Sequence, residues 1–429
     1  MTQTNLPTDW RRLELGDLFG SGIGSIQTGP FGSQLHASDY KETGIAVVNP
    51  THLGFNKIHE QKLPFISQED AERLSKHYLK VGDILISRRG DFSRFSYITD
   101  HHAGWLCGTG CLLLRLMNPE VDNYYLSFWF STQGAQDYLE QNAVGSIMPN
   151  LNTRILNGLP VVVPPLPEQR AIARALRAVQ EAREARRQEL QLERERKAAL
   201  MQHLFTHGTR GEARRQTEIG EMPESWQVVR IGEVSSELGS GITPRGGEKT
   251  YSENGIPLIR SQNVLMNNLA LKEVAFISQE IHQSMSRSAV FPGDVLLNIT
   301  GASIGRVAYV PASLKVANVN QHVCRIRLIE SASPVFVSYF LSSPKGQSQI
   351  MGSQYGTTRQ GLNYGNVRAI KTPFPSLIEQ NEIANTLQAC DTKISAIGKE
   401  SALLDELFRA MLEELMTGRL SATALLAVQ

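Results

Sequence analysis

The chain has 429 residues, 41% of them hydrophobic and 20% charged, with a formal net charge of +1. That length suits about two to four domains, and no apolar run reaches the ~18–20 residues that cross a bilayer. Met1 to Trp10 holds no basic stretch followed by an apolar core, and cysteines 107, 111, 324 and 390 form no disulfide framework, so a reduced, cytoplasmic setting is expected.

In chain order, the first 160 residues read mostly as short β-strands. Ala46-Val47-Val48, Ile84-Leu85-Ile86 and Cys111-Leu112-Leu113-Leu114 sit between breaks rich in Gly, Pro and Asn. Helices are predicted from Gln68 to Leu79 and from Tyr124 to Gln141. A long helix of ~38 residues follows Pro164-Pro165-Leu166-Pro167, where proline costs nothing because the first helical N–H groups have no partner to lose. It ends near Gly208. Residues 216–373 repeat the β-rich pattern, with helices predicted over Gln279–Ser286 and Pro334–Met351, and a second long helix follows Pro373-Phe374-Pro375 and ends near Gly418.

The second half copies the first at an offset of 211 residues. Phe65-Ile66-Ser67-Gln68-Glu69 matches Phe276-Ile277-Ser278-Gln279-Glu280, Gly82-Asp83 matches Gly293-Asp294, and Gly90 matches Gly301. Leu151-Asn152 matches Leu362-Asn363, and Glu168-Gln169 matches Glu379-Gln380. Pro7, Trp10 and Gly16 match Pro223, Trp226 and Gly232 at a slightly larger offset. A period this long excludes a solenoid and points to tandem duplication of a whole unit. The boundaries read 1–160, 161–215, 216–373 and 374–429. Basic and acidic residues number 13 and 16, 12 and 7, 14 and 11, and 4 and 8 in these segments, so the positive excess is local.

Apolar residues of the second long helix fall at alternating steps of four and three: Ile383, Leu387, Cys390, Ile394, Ile397, then Leu404, Phe408, Met411 and Leu415. That is a coiled-coil seam. The first long helix keeps the seam at its ends, through Ile172, Leu176, Val179, Leu190, Leu200 and Leu204. Its middle positions are Arg183, Arg186, Glu193 and Lys197, so the seam there is either wet or shifted onto Ala182 and Ala185. The expected fold is α+β, with two β-rich domains that each precede a long helix. The two helices pair antiparallel with pseudo-twofold symmetry, as a rod with a domain at each end; the alternative is each helix packing on its own domain.

Catalytic motifs are weak. Gly20, Gly22 and Gly24 lack a following Gly-Lys-Ser/Thr, so a P-loop is unsupported. Asn49-Pro50-Thr51-His52 is similar to an amino-methyltransferase motif but lacks its second proline and aromatic. Glu60-Gln61-Lys62 has a nuclease-like spacing that arises constantly by chance. Cys107 and Cys111, with His101 and His102 upstream, sit at a loose spacing with no match in the second half; buried strand cysteines are expected there, and no metal.

The helix-entry run Pro164-Pro165-Leu166-Pro167-Glu168-Gln169-Arg170-Ala171-Ile172-Ala173, echoed from Phe374 to Ala384, resembles that of the specificity subunits of Type I restriction–modification systems. So do the exits Leu204-Phe205-Thr206 and Leu415-Met416-Thr417-Gly418, the Pro-x-x-Trp pairs at 7–10 and 223–226, the run Thr28 to Leu35, and Gly82 to Ser87. The resemblance covers nearly the whole chain except the tail after Leu420. It implies two target recognition domains, each reading one half of a split double-stranded DNA site, and a helix pair that sets the gap. It implies two modification (adenine methyltransferase) subunits docked on the chain, with restriction subunits joining in some systems. S-adenosylmethionine, ATP and Mg²⁺ are then expected on those partners, with no cofactor and no catalytic residue on this chain. Other readings stay open: a catalytic DNA methyltransferase or nuclease with its own recognition domain, a coiled-coil adaptor with no DNA role, and a specificity subunit of a methylation-only system.

Base edges are read by Arg, Asn, Gln, Ser and Thr, and phosphates by Lys, Arg and backbone N–H groups. The leading candidates are Arg88, Arg89 and Arg94 in the loop after the Gly-Asp strand, with Ser303 and Arg306 in the equivalent loop of the second half. Ser33 and Gln34, Arg245, then Arg260, Gln262 and Asn263, and finally Gln354, Thr357 and Arg359 complete the set.

Overall fold

The computed structural model describes residues 6–20, 24–145, 149–354 and 361–422. It divides into two compact units, one made of 1–187 with 399–429 and the other of 188–398. Both units share one plan. In the first, an antiparallel sheet runs Gly24–Thr28, Cys111–Leu116, Ile84–Ser87, Phe95–Tyr97. A second, mixed sheet runs Tyr40–Lys41, Phe65–Ile66, Ile45–Val48, Leu106–Cys107. Arg11–Glu14 pairs with Pro160–Val163 and closes the domain just before the long helix. The other unit repeats this with Ser235–Ser240, Val323–Leu328, Val295–Asn298 and Val307–Tyr309, then Ala275–Ile277, Ile256–Ile259, Ala317–Val319 and Ala289–Val290, closed by Gln227–Arg230 on Lys371–Phe374.

The unbroken apolar runs exist because the antiparallel sheet is covered on both faces. Ile84, Ile86, Leu112 and Leu114 enter the core that also holds Phe128 and Ile172. Leu85, Cys111 and Leu113 point the other way, into a core with Val48 and Leu53. Successive residues of a strand face opposite sides, so both sets must be apolar.

Repeated motifs turn out to be structural fasteners. Gly82 and Gly293 share φ +88°, a left-handed turn that favours glycine. The following Asp83 and Asp294 are buried, and each accepts two hydrogen bonds from one arginine, Arg115 at 2.9 and 2.6 Å and Arg327 at 2.9 and 2.8 Å. Asn152 and Asn363 cap short helices, Thr153–Asn157 and Tyr364–Ala369, that sequence periodicity did not signal. Gln169 donates to Glu120 O and Pro164 O, and Gln380 donates to Ser331 O and Pro375 O, pinning each helix entry to the preceding loop. The Pro-x-x-Trp indoles reach the same corner. Trp10 Nε1 donates to Glu168 at 3.2 Å, and Trp226 Nε1 to Glu379 at 3.0 Å.

The shorter helices differ from expectation at their boundaries. Gln68–Arg73 stops early and a 3-10 turn follows, as does Gln279–Ser284. The predicted Tyr124–Gln141 helix is two helices, Asn123–Trp129 and Gln133–Asn142, because Thr132 caps the second. Pro334–Met351 likewise splits into Pro334–Ser342 and Pro344–Gly352, since Pro344 cannot extend the first.

The long helices are Leu166–His207 and Leu377–Met416. Each gives one part to each unit. Within the first unit Ile172, Leu176 and the partly buried Val179 share a core with Phe408, Leu415 and the partly buried Met411; Leu412 and Met416 join them. Within the second, Leu204 meets Ile383 and Leu387, with Leu200 partly buried against them. Ile397 is buried, and Ile394 and Leu404 are half-buried. The stripe is wider than a two-position seam because both helices also pack on the β-rich core of the unit. Within each unit, then, the helices both pair with each other and pack on the β-rich core, and neither helix packs on the domain before it alone.

The middle of the seam is polar. Ala182 and Ala185 are exposed, so the seam does not shift onto them. Arg183 pairs with Asp405 at 2.7 Å and Arg186 with Glu400 at 3.1 Å in the first unit. Glu193 pairs with Lys393 at 2.6 Å and Lys197 with Asp391 at 2.5 Å in the second. Partner numbers fall along one helix as they rise along the other, so the helices are antiparallel within each unit. Polar residues at seam positions fix register at a cost in stability. Arg183 also stacks over the Phe408 ring, 4.3 Å from its centroid.

Burial pushes the Asp405 carboxyl up, but hydrogen bonds from Arg183 and Arg187 outweigh it and hold it below the ordinary carboxylate range. The Lys393 hydrogen bond, with help from Arg196, does the same for Glu193. A group depressed in the folded state stabilises it above the unfolded value and loses that contribution as pH falls through the folded value. The melting temperature is therefore expected to drop as pH is lowered through about 4 and below. Asp405→Asn should make that acid limb shallower; calorimetry across the acid range checks it, and an identical limb in the variant refutes the role given to this pair.

Candidate nucleic-acid interface

In each unit the register sends the candidate segments out of one end of the antiparallel sheet. In the first, Thr28 lies opposite Leu112, Ser87 opposite Cys111 and Ile86 opposite Phe95. Segments 29–36, 88–94 and 108–110 therefore emerge together. In the second, Ser240 lies opposite Cys324, Asn298 opposite Val323 and Leu297 opposite Val307. This brings together segments 241–250, 299–306 and 320–322.

The first unit presents arginines there. Arg89 is exposed, and its Nε donates to Asn150 Oδ1 at 3.0 Å, which holds the base of the guanidinium. Arg94 pairs with Asp91 at 3.0 Å on the wall of a cleft of about 410 Å³ that Thr51, Phe55, His59 and Ser93 also line. Burial pushes the Asp91 carboxyl up, yet hydrogen bonds from Ser93 and Arg94 hold it below its usual range. Arg88 is different. It is half-buried, and its Nε donates to the Leu151 carbonyl at 3.2 Å, tying the loop to the 149–151 segment. Ser33 is exposed, whereas Gln34 Oε1 accepts from Phe31 N–H and closes its own turn. Gly29 has no room for a side chain, because a Cβ would sit 2.1 Å from the Gly108 carbonyl.

The second unit presents two arginines together with amides and hydroxyls. Arg245 and Arg306 are exposed, as is Gln262. Arg260 lies over the Tyr251 ring at 5.4 Å and 3.7 Å from Glu248. Asn263 is buried and its amide is consumed internally, accepting from Arg260 N–H and donating to Ala270 O, each at 3.0 Å. It is a turn fastener. Ser303 Oγ accepts from Asn298 Nδ2 at 3.1 Å, and Gln354 Nε2 lies 2.7 Å from Met351 Sδ. Thr357 and Arg359 fall outside the described residues, as does Gly22.

Sequence reasoning passed over the polar chain that joins these segments. The Thr243 hydroxyl donates to Gln321 Oε1; Gln321 Nε2 lies 3.2 Å from His322 Nε2, and His322 Nδ1 lies 2.5 Å from Thr300 Oγ1. Tyr364 accepts from Ser240 N–H at 3.0 Å. The available signal was positional, since Gln321-His322 occupies the turn that Gly108 to Gly110 fills in the first copy.

Cys107 and Cys111 are buried strand residues, and Cys111 Sγ donates to Val48 O at 3.4 Å. Burial, and next the neighbouring Cys107, push the Cys111 thiol well up, away from a thiolate. Among the described residues no helix is long and apolar enough to cross a membrane.

A duplicated α+β module, with each copy projecting hydrogen-bonding loops from one sheet end and docking on long helices, is a paired recognition scaffold. The family model described as the Type I restriction modification DNA specificity domain matches residues 7–194 and again 223–405. The chain belongs to that family: it is a specificity subunit, the non-catalytic part of such a system, with two tandem recognition domains. It is 25% identical over 424 residues to the putative type I restriction enzyme MjaX specificity subunit of Methanocaldococcus jannaschii, covering 97% of this chain and 94% of that one. It is 26% identical over 363 residues to the EcoBI specificity subunit of Escherichia coli, covering 79% and 74%. Its fold is similar to the Type I restriction–modification S subunit of M. genitalium, with a TM-score of 0.62, 14% identity and coverage of 97% and 98%. The readings as a catalytic methyltransferase or nuclease and as an adaptor without a DNA role give way to this membership.

Proposed function

We propose that each unit reads one half of a bipartite, asymmetric double-stranded DNA site, and that the long helices set the unread gap and dock two adenine methyltransferase subunits. The observation that carries this is the convergence of unlike loops on equivalent sheet ends: Arg89 and Arg94 in one copy, and in the other Arg245 and Arg306 joined by a polar chain of Thr243, Gln321, His322 and Thr300. Arginine forks suit guanine edges and phosphates, while amide, imidazole and hydroxyl groups suit a different pattern of donors and acceptors. Unlike loops therefore call for unlike half-sites. S-adenosylmethionine belongs to the partner subunits, which flip the adenine out of the stack; ATP and Mg²⁺ belong to restriction subunits where a system has them.

The test is to express the chain with its modification subunit and map methylated adenines genome-wide. One motif of two unlike halves at a single spacing is expected. A palindromic motif, a continuous one, or no adenine methylation attributable to this chain would overturn the reading.

A further inference from the structure

Glu60, His101 and His102 gather three ligand atoms within 4.8 Å of one another on the first unit. Both imidazoles aim Nε2 at the same carboxylate oxygen, His101 at 3.1 Å and His102 at 3.6 Å from Glu60 Oε1. A tetrahedral zinc with bonds of ~2.0–2.1 Å has ligand–ligand edges of about 3.3 Å, so these separations bracket a coordination edge. The second contact of His102 matters most. Its Nδ1 lies 3.1 Å from the Thr99 hydroxyl, within the 3-10 turn Asp100–His102 that Thr99 itself begins. In the tautomer that donates Nδ1–H to the Thr99 hydroxyl, His102 Nε2 turns a lone pair toward the Glu60 oxygen, the form in which the two groups can share a cation; in the other tautomer the Thr99 hydroxyl donates and Nε2–H faces Glu60. An orienting hydrogen bond on the far nitrogen is also how metal-binding histidines are commonly held.

The surroundings keep the ligands in place. Trp105 packs edge-on to both imidazoles, with centroids 5.7 Å from His101 and 5.0 Å from His102. The side chain of His102 is only 12% exposed, whereas His101 and Glu60 at 65% and 51% leave the remaining positions open to water.

We propose that Glu60, His101 and His102 form a binding site for a divalent transition metal of the zinc or nickel type, with water completing the coordination. Imidazole and carboxylate ligands suit these ions. The metal ties the loop carrying Glu60 to the turn at 100–102. His59, beside Glu60, lines the cleft that holds Arg94, so loading stiffens that wall. The site stands independently of the DNA-reading proposal.

The experiment uses the full untagged chain, stripped with chelator. Its background substitutions are His203→Ala and His207→Ala, because those imidazoles stack one helical turn apart at 4.2 Å and offer nickel another pair of ligands. Calorimetric titration with zinc chloride should show one saturable equivalent. His101→Ala, at an exposed position, and Glu60→Gln should each weaken it, and Thr99→Val should weaken it by about tenfold or more. Nickel chloride should quench part of the tryptophan fluorescence, and Trp105→Phe should remove that part. No saturable zinc uptake, an isotherm unchanged in His101→Ala and Glu60→Gln, or nickel quenching that survives Trp105→Phe would overturn the assignment.

Discussion

Replacing Arg89 and Arg94 together by alanine is expected to weaken binding to the mapped DNA site by roughly ten- to a hundredfold near physiological salt, and to flatten the dependence of log affinity on log salt by roughly two. The sign follows from counterion release: each guanidinium that neutralises a phosphate frees condensed cations, and a chain lacking it gains less when salt is low. Both side chains sit on the hairpin loop at the end of the sheet, Arg89 exposed and Arg94 half-buried, each held through Nε, to Asn150 and Asp91 respectively. Arg88→Ala is the informative contrast. That side chain is half-buried and its Nε ties the loop to the Leu151 carbonyl, so its loss should loosen the loop more than it changes the salt slope. Fluorescence anisotropy with duplex DNA across a salt series separates the two. If the double variant keeps the parental slope, this loop does not meet phosphate.

The second large effect concerns spacing. Inserting one heptad (~7 residues) after Gln188, matched by one near Gly398 in the other helix, should lengthen the preferred gap between half-sites. Seven residues add about 10 Å at ~1.5 Å each, or roughly three base pairs at ~3.4 Å. The insertion has to be matched because the seam is a register of charges. Lengthening one helix alone would slide Arg183 and Arg186 away from Asp405 and Glu400 while Glu193 still faced Lys393, a conflict that should cost stability instead of moving the gap. Methylation mapping of cells carrying the matched insertion decides it. An unchanged gap would mean that the helices do not measure the site.

Much of the architecture was legible because the duplication supplied an internal comparison. Positions that recur at a constant offset are those the fold cannot do without, and Gly82-Asp83, Asn152, Glu168 and Gln169 prove to be turn, cap and corner residues. That same strength misdirects a search for function, since a recognition surface is where two copies diverge. Gln321 and His322 have no counterparts in the Gly108 to Gly110 turn, so a repeat-based reading passes over them. Asn263 drew notice as an amide in a polar run, yet a turn needs that amide inside. The seam's polar middle was visible, but its partners were not: Arg183 and Asp405 are 222 residues apart, and side-chain pairing over that distance leaves no periodic trace.

The way the first unit is assembled has a bearing on synthesis. Phe408, Leu412 and Leu415 belong to the same core as Leu15 and Ile84, and a side chain at Gly418 would fall 2.7 Å from Pro7. The second unit, in contrast, is one continuous stretch, 188–398. A ribosome therefore emits everything the later unit requires while the earlier one still lacks a wall of its interior. The early segment must wait with apolar surface uncovered, the condition under which nascent chains recruit chaperones or aggregate, and any truncation that removes the final helical turns should unravel the beginning of the protein before its middle.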